Sequence, residues 1–86
     1  MSAMFIRISG LASTKRRAGR WPASAATVWR GVTAGTVTVP IKLAKQVSAW
    51  PLREIEAVEE ARIAGKSDDE IRALVRRLHE ARKVAA

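Results

Sequence analysis

The spacing of apolar residues along the chain is helical at first, then alternates, and then becomes helical again. Residues 5–8 form a short β-leaning start, and Ser9 can cap a brief helix over residues 10–14. A second helix is predicted over residues 24–34, because apolar side chains recur at helical spacing between a serine that can cap it and a glycine that can end it. The residues that carry this second prediction are Ser24, Val28, Trp29, Val32 and Gly35.

After the second helix, apolar and polar residues alternate strictly over residues 36–43. Such alternation is typical of a half-buried strand, and Pro40 restricts that strand to the edge of a sheet. A turn over residues 44–46 would return the chain as a second strand over residues 47–50. If the apolar side chains face the core, the outward-facing residues of this hairpin are Thr36, Thr38, Lys42 and Lys45.

Two further helices are predicted after the hairpin. Pro51 can occupy the first turn of a helix over residues 52–64, which Gly65 ends. Ser67 and Glu70 then form a capping box that starts the last helix. In so small a domain, we expect the apolar stripe of that helix to pack against another surface. The stripe consists of Ile71, Leu74, Val75 and Leu78.

The predicted order is helix, basic turn, helix, small hairpin, helix and helix. This order indicates an α+β, mostly helical fold, namely a winged helix-turn-helix in which the hairpin is the wing, with an extra C-terminal helix. We expect a winged helix-turn-helix domain over residues 1–66 and the extra helix over residues 67–86. That helix could complete the core, touch DNA or dock on a neighbouring copy of the chain. We assign self-association to Leu74, Val75 and Leu78.

Charge is divided unequally between the two ends of the chain. The net charge is +8, and the first 50 positions carry eight Lys and Arg residues but no acid. The remaining 36 positions hold all eight acids together with eight bases. A folded segment with one sign of charge suits a polyanionic partner, and nucleic acid is the commonest polyanion.

Several other classes of function are disfavoured by composition. The chain has no cysteine, and His79 is its single histidine, which we expect on the surface. The sequence shows no pairing of a catalytic nucleophile with a general base, no metal-ligand spacing and no Gly-rich phosphate loop. We therefore expect no enzyme, no cofactor and no small-molecule substrate. No apolar run approaches the roughly 20 residues of a membrane span. The acid-free first 30 residues resemble a transit peptide, although Gly10, Gly19 and Pro22 interrupt any amphipathic helix there.

Three groups of residues are candidate contacts to DNA. The basic turn would bind phosphates, because no carboxylate lies near it in the sequence. The second helix would present small side chains to the major groove, and Arg30 would bind a guanine or a phosphate. Lys45 at the tip of the wing would bind the minor groove or a phosphate. The candidates are Lys15, Arg16, Arg17 and Arg20 in the turn, Ser24, Ala25, Thr27, Arg30 and Thr33 on the helix, and Thr38, Lys42 and Lys45 in the wing.

The three tryptophans are interpreted mainly as core residues. Trp29 and Trp50 lie where the second helix, the hairpin and the third helix need shared anchors. Trp21, beside Pro22, could pack in the core or stack on a sugar or base, and packing is the favoured interpretation. Binding of single strands would need more exposed rings than this chain offers.

Five segments carry a resemblance to a known family. They are Phe5-Ile-Arg-Ile8, Ser24-x-x-Thr27-Val-Trp-Arg30, Gly35, Val39-Pro-Ile-Lys-Leu43 and Trp50-x-x-x-Glu54-Ile. In this order they resemble the AlpA-like and excisionase proteins of phages and integrative elements, whose fold is a MerR-like or excisionase-like winged helix-turn-helix. The resemblance covers residues 5–63. The basic turn is longer than the family's turn, and the last helix extends beyond the family's usual end.

The resemblance implies a bacterial, cytoplasmic and nucleoid-associated protein that binds double-stranded DNA. It favours an excisionase, or recombination directionality factor, that binds several attachment-site repeats cooperatively and bends the DNA. Self-association along the DNA and an integrase of the tyrosine recombinase class would be its partners. The alternative within the family is an AlpA-type transcriptional regulator of integrase or excisionase genes. An RNA-binding or ribosome-associated basic protein and a protein-interaction adaptor are the alternatives from other classes.

Overall fold

The computed structural model describes the backbone of residues 4–85 and the side chains of residues 4–83. About half of the chain, 52%, is helical, and three strands form an antiparallel sheet, so the expected α+β class is confirmed. In chain order the elements are β1 (Phe5–Ile6), α1 (Ile8–Leu11), α2 (Ala25–Ala34), β2 (Ile41–Ala44), β3 (Val47–Pro51), α3 (Leu52–Ile63) and α4 (Asp68–Ala85).

The sheet has the strand order β1-β3-β2, with β3 in the centre. The predicted hairpin is confirmed as β2 and β3, and its two-residue turn includes Gln46 at a φ of 66°. Pro40 precedes the edge strand, so its missing N–H leaves no gap in the ladder. On the other side of β3, Ile6 pairs with Trp50, which joins the start of the chain to the hairpin.

The first helix lies earlier in the chain than the sequence predicted. It spans four residues, begins after Arg7 and receives no side-chain cap, so the predicted cap at Ser9 is wrong. The carbonyls of Gly10 and Leu11 accept the N–H groups of Arg20 and Trp21 in the following loop. The helix therefore ends at Leu11, because its last carbonyls bond to that loop.

The predicted limits of α2 and α4 are confirmed by their caps. The Ser24 hydroxyl accepts the Thr27 N–H, and Gly35 ends α2 in the left-handed region at a φ of 85°. In the capping box, the Ser67 N–H donates to a Glu70 carboxylate oxygen at 3.0 Å, and the Glu70 N–H donates to the Ser67 hydroxyl at 3.2 Å. These signals are local, which is why the sequence reveals them.

The predicted alternation fails over residues 36–39. Thr36 and Thr38 are buried, whereas Val39 is 49% exposed, so the prediction that Thr38 faces outward as a DNA contact is wrong. The segment has no partner strand here, because the Thr36 N–H donates to the Gly31 carbonyl and the Trp50 indole N–H donates to the Thr38 carbonyl at 2.6 Å. Without strand pairing, nothing imposes a period of two.

Two apolar clusters form the core. The first surrounds Trp50 and joins α1, α2, β3 and α3. The second lies between α3 and α4 and contains Val58, Ile71 and Val75, with Leu78 partly buried beside it. Val75, assigned to self-association from the sequence, is thus buried within the chain, whereas Leu74 and Leu78 remain partly exposed.

An ion pair joins α4 to α3. The Glu54 side chain is 2% exposed and receives two hydrogen bonds from Arg82, one of them from Nε at 2.8 Å. Arg82 also donates to the Val39 carbonyl at 2.7 Å, and the Val39 N–H donates to His79 Nε2 at 3.1 Å. His79 is therefore a partly buried contact to the segment before the hairpin, which corrects the expectation of a surface residue.

Within residues 4–85, no helix combines the length and apolar character that crossing a membrane requires.

Thr38→Val is expected to stabilise the protein. Within the described residues, the Thr38 hydroxyl is fully buried and has no hydrogen-bond partner, and valine has nearly the same shape. Removing an unsatisfied buried hydroxyl should raise the free energy of unfolding by about 1 kcal/mol, or the melting temperature by about 4–8 °C. Thr36→Val is the matched control, because that hydroxyl donates to the Gly31 carbonyl and its loss should bring no gain. A lower melting temperature for Thr38→Val would contradict the geometry.

Arg82→Met is expected to destabilise the protein by about 3–5 kcal/mol in chemical denaturation, because it leaves the buried Glu54 carboxylate without its countercharge. Adding Glu54→Gln should restore part of that loss. Arg76→Met is the control on the same helix, since Arg76 is exposed and has no carboxylate within 4.0 Å in residues 4–85. Equal effects of the two single variants would show that the pair does not hold α4 on α3.

Candidate nucleic-acid interface

The ion pairs concentrate the uncompensated positive charge in the first half of the chain. Six of the sixteen Lys and Arg residues lie within 4.0 Å of a carboxylate in residues 4–85. Only one of those six, Arg20, belongs to the first 50 positions. The cations without such a carboxylate are Arg7, Lys15, Arg16, Arg17, Arg30, Lys42 and Lys45 in that half and Arg53, Arg76 and Arg77 in the other.

Arg20 departs from the prediction made for the basic turn. Its Nε and Nη2 atoms bind the two carboxylate oxygens of Glu59 at 2.6 and 2.8 Å, and the Trp21 indole N–H donates to the same carboxylate at 2.7 Å. The expectation that no carboxylate neutralises the turn is therefore wrong for Arg20. Glu59 lies 39 residues away in the sequence, so proximity along the chain gave no signal. Arg20 anchors the turn to α3.

The remainder of the basic turn is folded and presents its cations. The Thr14 hydroxyl accepts the N–H groups of Arg16 and Arg17, and the Thr14 N–H donates to the Arg17 carbonyl at 2.8 Å. The Arg17 guanidinium donates to the Ser9 carbonyl at 2.8 Å, which ties the turn to α1. Lys15, Arg16 and Arg17 are exposed. The turn therefore holds three cations in a defined place.

Gly19 allows the turn to close. A Cβ atom at this position would lie 2.1 Å from the carbonyl oxygen of Ala12, a distance that no side chain tolerates. The Gly19 N–H donates to the Ser13 hydroxyl at 2.8 Å, and that hydroxyl donates to the Trp21 carbonyl at 2.6 Å. The two ends of the turn are thus joined through Ser13.

The candidate residues of α2 are all exposed, as the sequence predicted. The Ser24 hydroxyl is used as the N-cap, and the Thr33 hydroxyl donates to the carbonyl one turn earlier at 3.2 Å. Arg30 Nη2 donates to the Thr27 hydroxyl at 3.1 Å, so the guanidinium lies along the helix and keeps its other donors free within the described residues. Ala25 adds no bulk, which lets a partner approach the first turn closely.

Trp29 is a surface residue, which corrects the prediction that it lies in the core. Its side chain is 41% exposed, whereas Trp50 is 1% exposed. The two rings contact each other with centroids 5.4 Å apart at an angle of 40°. Trp50 is the buried anchor that the sequence predicted, and its ring packs against the ring of Trp29.

A cleft of about 260 Å³ lies between α2 and the β2–β3 hairpin. Its lining includes Trp29 from α2, Lys42 and Gln46 from the hairpin, and Arg7 from the segment before α1. In the sequence analysis Arg7 was counted among the basic residues but was not assigned to the interface. The signal available was its place between Ile6 and Ile8, where an alternating pattern exposes the middle residue.

A larger groove of about 590 Å³ lies on the other side of α2. Thr27 and Gly31 of α2 face Val58 and Ile63 of α3 across it. Trp21, which the sequence favoured as a packing residue, forms one wall and also contacts both core clusters. Thr27 therefore lies on the flank of α2 away from the hairpin.

No protein-family model matches this chain, and searches of curated proteins and of solved structures gave no match either. The charge and geometry of these residues therefore carry the functional proposal.

Glu59→Gln is expected to destabilise the protein at neutral pH by about 1–2 kcal/mol, because it removes the charged acceptor of Arg20 and Trp21. The hydrogen bond from Arg20 lowers the pKa of Glu59 below its ordinary value of 4.5. The stabilisation is therefore complete above that value and is lost as the pH falls through the lower pKa of the folded protein. Thermal unfolding of the wild type and of Glu59→Gln between about pH 3 and pH 7 measures this stabilisation.

The difference between wild type and Glu59→Gln should accordingly shrink below about pH 4.5. Glu60→Gln is the matched control, because Glu60 is exposed and makes no ion pair within residues 4–85. A difference independent of pH over this range would contradict the assignment.

Proposed function

We propose that the protein binds double-stranded DNA in a sequence-specific manner through a winged helix-turn-helix. In this proposal α2 enters the major groove, the β2–β3 hairpin is the wing, and the basic turn binds phosphates. The observation that carries the proposal is the division of charge: seven cations of the first 50 positions have no carboxylate within 4.0 Å in residues 4–85. Phosphates are the natural counterions for such a surface.

The shape of α2 supports this role. An α-helix with its side chains is about 10–12 Å in diameter, and the major groove is about 12 Å wide, so the exposed side of α2 can lie within it. The side chains at its start are small, and Arg30 provides the one guanidinium on the helix. Lys45 lies at the turn of the adjacent hairpin, where a wing contacts the neighbouring groove or backbone.

The resemblance to AlpA-like and excisionase proteins favours an excisionase that binds attachment-site repeats and bends them, working beside an integrase. The AlpA-type transcriptional regulator uses the same residues and is the alternative. Val75 is buried in the chain's own core, so self-association along DNA would use the partly exposed Leu74 and Leu78.

DNase I footprinting tests the proposal on two fragments, one from the attachment site of the element and one from upstream of the protein's own gene. Several adjacent sites that fill together would support the excisionase, and a single promoter site would support the regulator. Absence of protection on both fragments at low salt would refute DNA binding.

Arg30→Ala is expected to weaken binding to the footprinted site by about 1–3 kcal/mol while leaving binding to unrelated duplex nearly unchanged, because a bidentate contact to guanine reads sequence.

Arg16→Ala should weaken binding to the footprinted site and to unrelated duplex equally, since a phosphate contact does not read sequence. Wild-type binding that uses about five phosphate contacts should show a log–log salt slope of roughly −4 to −5. Fluorescence anisotropy with the two duplexes measures all three quantities.

Arg77→Ala, on α4, is the control and should change neither affinity. Equal losses on both duplexes for Arg30→Ala would reassign Arg30 to the DNA backbone.

A further inference from the structure

We propose that the cleft between α2 and the hairpin binds one phosphate and the adjoining sugar of the DNA backbone. Arg7 and Lys42 would bind the phosphate, and the exposed face of Trp29 would pack against the deoxyribose. This inference rests on the proposed function and adds to it two contact residues, Arg7 and Trp29.

The cleft is positively charged, and none of the described residues that line it is acidic. Among its lining residues, Arg7 and Lys42 carry charge, and Gln46 and Ser48 add neutral donors. Neither cation has a carboxylate within 4.0 Å in the described part of the chain. Two cations that share a cleft without an anion repel each other, and a bound phosphate would convert that repulsion into attraction.

The size of the cleft restricts what it can hold. Its volume of about 260 Å³ lies below the roughly 300–1,000 Å³ that is usual for sites of drug-sized molecules. A phosphate with one sugar is small enough to fit within it. The cleft is also open to solvent, so an extended chain can cross it.

Trp29 offers a rigid apolar surface inside this charged cleft. Its indole rests on Trp50, whose own N–H is fixed to the Thr38 carbonyl at 2.6 Å, so the exposed ring is held in place before any ligand arrives. A preorganised aromatic side chain binds at a low entropic cost. A large indole that is 41% exposed beside two cations suits a ligand with one anionic part and one apolar part.

The position of the cleft favours DNA backbone over a free anion. The cleft is bordered by α2 and by the hairpin, which are the two elements proposed to contact neighbouring parts of the duplex. In the proposed arrangement, a DNA strand that passes from the groove occupied by α2 toward the hairpin would cross it. A free phosphate would fill the charged part and leave Trp29 uncovered.

The first test measures the salt dependence of duplex binding for Arg7→Gln, for Lys42→Gln and for the double variant. Because both side chains share one phosphate, the double variant should reduce the magnitude of the log–log salt slope by about one rather than by two. Arg77→Gln is the matched control and should leave the slope unchanged. A double variant that changes the slope by two, or not at all, would overturn the shared phosphate.

The second test concerns Trp29. Trp29→Leu keeps an apolar side chain but buries less apolar area against the sugar, so it should weaken duplex binding about tenfold at constant salt. Acrylamide quenching of tryptophan fluorescence provides a readout that does not depend on affinity. Duplex DNA should protect the most accessible tryptophan of the wild type, and Trp29→Leu should show no such protection. Circular dichroism verifies that the variant is folded.

Separate outcomes distinguish the two proposals. A wild type that binds no duplex overturns both. A wild type that binds, with affinity, slope and quenching unchanged in the cleft variants, overturns this one alone. Titration with inorganic phosphate tests the other source of the same chemistry: saturable binding that needs Arg7 and Lys42, together with duplex binding that does not, would assign the cleft to free phosphate and refute the backbone contact.

Discussion

The buried carboxylate of Glu54 constrains how the C-terminal helix is placed. A charge that is 2% exposed is costly unless it is paired and hydrogen-bonded, and Arg82 of α4 supplies both. The same guanidinium reaches the Val39 carbonyl, and His79 accepts the Val39 N–H. The last helix therefore holds both α3 and the segment that leads into the hairpin. His79 and Arg82 of this helix therefore also help to position the proposed wing.

Trp50 constrains the placement of α2, as Glu54 constrains that of α4. Its backbone pairs with Ile6 in the sheet, its indole N–H donates to the Thr38 carbonyl, and its ring supports Trp29. The hairpin and α2 are thus fixed to one buried side chain. Two elements proposed to contact neighbouring parts of one duplex need a defined separation, and a shared anchor provides it without a long interface between them.

Local signals predicted much of the fold, whereas contacts between distant residues were not predictable. The cap at Ser24, the glycine that ends α2, the capping box and the hairpin turn depend on neighbours within a few residues, and all are confirmed. The pair between Arg20 and Glu59 spans 39 residues, so the expectation that no carboxylate lies near Arg20 was wrong. Thr38 was misplaced for a related reason, because its segment bonds to a helix end and to side chains rather than to a strand.

The ion pairs also determine which parts of the surface carry the net positive charge of the protein. Six of the eight acids are used in ion pairs within residues 4–85. The pairs at Glu54 and Asp68 join α3 to α4, and the pair at Glu59 joins α3 to the basic turn. The acids therefore stabilise the scaffold. Within residues 4–85 they leave Lys15, Arg16 and Arg17 of the basic turn, together with the cations of α2 and the cleft, without carboxylate partners. A surface of this kind is costly in the free protein because its charges repel one another, and that cost falls when phosphates approach. The exposed Trp29 lies among these cations, where it adds an apolar contact that charge alone does not supply.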